Sequence, residues 1–137
     1  MMSDNSLAEV KSVLQLKHAV FDELTFSREG FQQEGEQYSL QVKSSVEKDA
    51  EGEYRVSLFL SVKKEREYTA SVRITGYFSI DEKTPRKEDI LQKNAVAILF
   101  PYVRSELTLL TAQPETTPLV LPALNINSLI DKSTQTE

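Results

Sequence analysis

The chain has 137 residues, 39% apolar and 27% charged, with a formal net charge of −5. That is enough polypeptide for one domain with a real core, which excludes a disordered chain and two independent cores. The acidic balance argues against nucleic acid as the main partner, since phosphate binding needs a positive face, and the absence of cysteine excludes disulfides and thiolate metal sites.

The chain opens on polar residues 1–6, and no basic start leads into an apolar run. The longest apolar stretch, residues 95–103, is about half a membrane span. These features predict a cytoplasmic protein without membrane insertion. They predict a single domain over residues 1–137, ordered from about 7 to 131 between polar tails.

The first two-thirds reads as strands. Leu14, Leu16, His18 and Val20 begin one, and the alternation breaks near residues 21–24, where a bulge would bend it. Tyr38, Leu40 and Val42 begin a second, and the polar residues 47–53 with Asp49 and Gly52 form its turn. Tyr54, Val56, Leu58, Leu60 and Val62 alternate with Arg55, Ser57, Phe59, Ser61 and Lys63. Tyr68, Ala70, Val72, Ile74, Phe78 and Ile80 carry the same pattern after a charged link at residues 63–67. Period two with one polar face predicts an antiparallel sheet, buried on one side and wet on the other.

Then the period changes. Thr84-Pro85 reads as a helix start, a capping hydroxyl followed by proline in the first turn. The helix should run to about Ala112, with a kink or break at residues 97–101, because Pro101 removes the amide that would bond to Ala97. Residues 95–103 are apolar or amphipathic all round, yet a sheet covers only one side of a helix. The other side predicts a homo-oligomer interface at Val96, Ile98, Tyr102 and Leu109; the alternative is a fully internal helix in a monomer.

Pro114, Pro118 and Pro122 then forbid helix and central strand alike, while the stretch from Leu119 is apolar. Such a segment either fills a crack in the core or lines a groove. Asn125 or Asn127 can cap a short last helix through Ser128, Leu129 and Ile130.

Catalytic signals are missing. His18 is the only histidine and lies in a strand pattern, so no Ser-His-Asp or Cys-His pairing forms without it. The four glycines are scattered, and no metal-ligand spacing occurs. Carboxylates sit in mixed-charge runs such as residues 47–49 and 81–83, which read as solvated turns. The expectation is a non-enzyme without cofactor.

Leu99-Phe100-Pro101-Tyr102-Val103-Arg104-Ser105-Glu106-Leu107 resembles the helix signature of the SecB family. Gly76-Tyr77-Phe78-Ser79-Ile80 resembles that family's strand end. Leu119-Val120-Leu121-Pro122-Ala123-Leu124-Asn125 resembles its segment after the helix, and residues 17–22 resemble its first strand. The order and spacing hold over residues 14–130. The resemblance implies an α+β fold, a four-stranded antiparallel sheet followed by a long helix and a short C-terminal helix. It implies a tetramer built as a dimer of dimers. It also implies an ATP-independent chaperone that binds unfolded polypeptides in apolar grooves, often for protein export and handover to the motor SecA.

On this reading Tyr38, Leu40, Val42, Leu119, Leu121, Leu124 and Ile126 line the groove. Ala97 stands where the family has asparagine. The acidic sheet face that takes SecA's basic tail maps onto His18, Asp22 and Ser71, and only Asp22 keeps its charge. SecA docking is therefore weakened. The alternative is a dedicated SecB-like chaperone of one partner, such as an antitoxin.

Overall fold

The structure is a computed structural model that describes residues 13–32, 35 and 37–135, with side chains as far as residue 130. Strands β1 (Gln15–Arg28), β2 (Ser39–Ala50), β3 (Glu53–Lys64) and β4 (Tyr68–Ser79) form one sheet in the order β1-β4-β3-β2. Every pairing is antiparallel. A short helical turn α1 (Lys87–Asp89) leads through a π-helical turn (Ile90–Asn94) into the long helix α2 (Ala95–Thr111). The last helix is α3 (Ile126–Gln135).

The strand alternation has the phase expected for β3 and β4. Tyr54, Val56, Leu58, Leu60 and Val62 are buried on one face beside Ala70, Val72, Ile74 and Phe78. β1 shifts register at Leu16/His18 and again at Phe21/Glu23, the second shift falling where the alternation breaks. The β2–β3 connection is tighter than residues 47–53 suggested. The ladder continues to Ala50, and across it Arg55 binds Glu47 at 2.9 Å and Asp49 at 2.7 Å. Gly52, at φ 71°, turns the chain in the left-handed region open to glycine.

Helix α2 lies on β3 and β4 through Val96, Leu99, Val103 and Leu107, all fully buried. Each of these contributes about 1.5–3 kcal/mol of hydrophobic stabilisation. The helix approaches β4 closely at Gly76, where a Cβ would meet Leu99 Cδ2 at 2.8 Å and Phe78 Cε2 at 2.6 Å. Only glycine leaves room for that contact.

Two features of the helix differ from expectation. Thr84-Pro85 does not start it: Thr84 donates its amide to Asp81 in a turn, and Arg86 is left-handed at φ 59°. The start is held by Glu82 instead. Its carboxylate accepts from the Gly52 amide at 2.7 Å and the Tyr54 hydroxyl at 2.8 Å, and pairs with Lys87 Nζ at 2.6 Å. This joins the β2–β3 turn to the helix. Nor is there a break at residues 97–101: α2 runs unbroken through Pro101, and the irregular turn lies upstream at Ile90–Asn94. Ala97 and Pro101 both sit on the exposed side, where water can satisfy the freed carbonyl.

Asn125 caps α3 as expected, its Oδ1 accepting the Ser128 amide at 3.4 Å. The polar end foreseen from Asp131 is helical to Gln135. The tail foreseen at residues 1–6 lies outside the described residues.

Candidate functional site

The segment after α2 is bound to the helix by two threonines one turn apart. Thr111 Oγ1 accepts the Leu119 amide at 2.8 Å, and Thr108 Oγ1 donates to the Leu119 carbonyl at 2.8 Å. Both polar groups of one extended residue are thereby satisfied without a strand partner, the backbone accounting that any non-helical, non-sheet segment must meet. Further back, Arg28 Nη2 donates to the Pro114 carbonyl at 2.6 Å and also to the Thr116 hydroxyl, tying this loop to the end of β1.

Held this way, the segment alternates. Leu121 points inward at 2% exposure and Val120 outward at 71%. Between it and the sheet opens a cavity of about 480 Å³, bounded by Tyr38, Lys64, Tyr68, Leu119, Val120 and Pro122 among others. Of the residues expected in a groove, Tyr38 and Leu119 line this cavity and are half-buried. Leu40 and Leu124 are half-buried against the core. Val42, Leu121 and Ile126 are core residues at 1%, 2% and 3% exposure, so none offers groove surface in this conformation. Val120 was missed. In an extended segment neighbours face opposite ways, so the apolar run 119–121 carries the signal for an outward residue but not its phase.

The second apolar surface is on α2. Ile98, Tyr102 and Leu109 are exposed, at i, i+4 and i+11 along one stripe, opposite the buried stripe. Phe21 of β1 meets this stripe in a shallow cleft with Pro101, Tyr102 and Ser105. Val96, expected at the same interface, is fully buried on the sheet side and belongs to the core.

His18, Asp22 and Ser71 are spread along the open sheet face: His18 stands opposite Tyr77 and Ser71 opposite Thr25, with Asp22 at the register shift between them. Asp22 accepts from the Thr75 hydroxyl, and Ser71 shares a hydrogen bond with Thr25. The centre of the face is mixed in charge, with Glu23 paired to Arg73 at 3.8 Å. Arg73 lies over the Phe59 ring at 4.9 Å, and Lys43 pairs with Phe59 from β2.

An antiparallel four-stranded sheet with a long helix across one face, and a pinned apolar segment folded back beside a groove, defines the SecB-like chaperone fold. The family described as preprotein translocase subunit SecB matches residues 11–137, and this chain belongs to it. The SecB-like chaperone Rv1957 of Mycobacterium tuberculosis, solved in complex with a peptide from an antitoxin, superposes with a TM-score of 0.70 at 19% identity, over 85% of this chain and 94% of that one. A Streptococcus agalactiae protein of unknown function superposes with a TM-score of 0.51 at 11% identity, over 80% of this chain and 97% of that one. An uncharacterized protein of Methanocaldococcus jannaschii is 36% identical over 61 residues, 44% of this chain. The match spans 39% of that relative's length. Among the described residues no helix is long and apolar enough to cross a membrane.

Proposed function

We propose that this chain is a non-enzymatic chaperone that binds unfolded polypeptides, without nucleotide or cofactor, as a cytoplasmic homo-oligomer. One observation carries the reading: a folded single chain leaves apolar side chains uncovered in two places, the stripe Ile98, Tyr102 and Leu109 and, at Leu119 and Val120, one wall of a groove of mixed polarity. Contiguous exposed apolar surface marks an interaction site. The helical stripe, with Phe21, suits a second copy, and a dimer of dimers closes it. The groove suits an extended client, whose side chains enter the cavity while its polar groups stay wet. Many weak contacts summed along a client give affinity without sequence specificity.

The test is suppression of aggregation. The purified protein, without nucleotide, should keep several unrelated unfolded proteins in solution. Protection of none of them ends this reading.

A second reading is supported by the sheet face and by the nature of the similar chaperone. A SecA tail that is basic would meet Asp22 and Glu23, but Arg73 pairs with Glu23 at 3.8 Å and offsets its charge at the centre of the face, so attraction there is reduced. Export through SecA contacts at His18, Asp22 and Ser71 is therefore the weaker use. A dedicated chaperone of one partner, such as an antitoxin, needs only the groove. Competition between peptides separates the two: one peptide displacing all others points to a dedicated client.

A further inference from the structure

The open face of the sheet is divided by charge. Its carboxylates lie at the margins: Asp22 and Glu23 on β1, and Glu47 and Asp49 toward the β2–β3 turn, where Arg55 binds both. Between these margins opens a cavity of about 520 Å³, bounded by Gln41, Lys43, Ser45, Ser57, Phe59 and Arg73 among others. Among the described residues its lining holds two cations and no carboxylate. The Arg73 guanidinium lies 4.9 Å from the centre of the Phe59 ring, a contact that holds the planar group in place before anything binds. Glu23 approaches Arg73 Nε at 3.8 Å, beyond hydrogen-bond reach, which leaves the two Nη groups to donate elsewhere. Lys43, opposite Phe59 on β2, adds a second positive charge to the lining.

Ser57 brings the opposite polarity. Thr75 donates its single hydroxyl proton to Asp22, so in the 3.1 Å bond between Ser57 and Thr75 the serine must be the donor. The Ser57 proton is thereby used, and its oxygen offers the cavity lone pairs only.

We propose that this half of the sheet face docks an acidic peptide segment of a partner protein, with an aspartate or glutamate carboxylate held by Arg73 and Lys43 and a nearby main-chain amide donating to Ser57. The surface is separate from the groove, and the proposal does not depend on the groove reading. Charge complementarity selects an anion, since the cavity presents two cations within a chain of net charge −5. Ser57 selects a peptide among anions, because a free carboxylate or phosphate has no N–H to give it. A nucleic-acid backbone would carry its charge on across Asp22, Glu23, Glu47 and Asp49, whereas a peptide can confine it to one side chain.

The experiment uses two capped eight-residue peptides of serine, glycine and alanine, with either two central glutamates or two central glutamines. Neither has a large apolar side chain for the groove, so failure here leaves the groove reading standing. Each is titrated into the ¹⁵N-labelled full chain and followed by nuclear magnetic resonance. The glutamate peptide should bind about ten-fold more tightly, with shifts centred on Ser57, Phe59 and Arg73. That advantage should shrink between about 10 mM and about 1 M salt, as the Debye length falls from about 30 Å to about 3 Å. Arg73→Gln and Lys43→Gln should each weaken the glutamate peptide about five-fold, the worth of a half-exposed ion pair, while Lys63→Gln outside the cavity leaves it unchanged. Equal binding of the two peptides overturns the proposal. So do shifts centred elsewhere in the native protein, a result that needs no variant to fold. If acetate replacing chloride at equal ionic strength abolishes the preference, the cavity is a small-anion site and peptide docking falls.

Discussion

Thr111 and Leu119 are joined by a hydrogen bond from the Leu119 amide to the Thr111 hydroxyl, 2.8 Å long and buried at the threonine. Thr111 also donates to the Leu107 carbonyl at 2.9 Å, so one hydroxyl closes the helix end and seats the groove wall. Thr111→Val keeps the shape and deletes both bonds. The Leu119 amide is left without its acceptor, at a cost of about 1–3 kcal/mol. Denaturant unfolding should show that loss, and amide exchange at Leu119 should quicken. An unchanged exchange rate would mean that the wall is held by packing alone.

Leu121 and Val120 separate the fold from the groove. Leu121→Asp puts a carboxylate into the core and should cost several kcal/mol, unfolding much of the protein. Val120→Asp touches only surface, so it should leave Tm nearly unchanged while weakening suppression of aggregation. Full protection by Val120→Asp with an intact fold removes Val120 from the client surface.

The α2 stripe is tested in the same way. Tyr102→Asp and Leu109→Asp should give smaller species by light scattering after size-exclusion chromatography, with the far-ultraviolet spectrum retained. Val96→Ala should instead cost about 2 kcal/mol of stability with no first-order effect on assembly, because Val96 contacts the sheet. Native-sized oligomers from both aspartate variants would exclude this stripe as an interface.

Glu82 gives the fold an acid limit. The Lys87 ammonium, and after it the Gly52 amide and the Tyr54 hydroxyl, hold its carboxyl well below the usual carboxylate range. A carboxyl depressed by folding adds stability above its unfolded pKa, about 4.3, and loses it as pH falls toward the folded value. The matching rise at Lys87 acts only in strong alkali. Glu82→Gln should therefore lower the urea midpoint at neutral pH and flatten its decline between about pH 5 and pH 3. Parallel curves for the two proteins would assign the acid sensitivity to other groups.

Much of this protein is written along the chain. Period-two alternation in residues 54–62 and 68–80 specifies two central strands and their inward faces, because a one-residue slip would put every apolar side chain in water. The end of that alternation at residue 80 announces the helix, and the prolines announce an extended segment after it. The site was less legible. Tyr38 and Leu119 line a cavity, while Val42, Leu121, Ile126 and Val96 are buried and Val120 is exposed. Pattern reports that a residue is apolar; it does not report which of two apolar surfaces will cover it.

Local sequence thus determined the elements, their order and the surplus of apolar side chains, since each follows from backbone propensity and periodicity over a few neighbours. The three-dimensional packing alone decided the phase of the pinned segment, the Glu82 cluster at the helix start and the stacking of Tyr68 on Phe26. Each of these joins residues far apart along the chain, or depends on what remains uncovered after they pack. No local pattern carries that information, because burial is a property of the assembled surface and not of the residue.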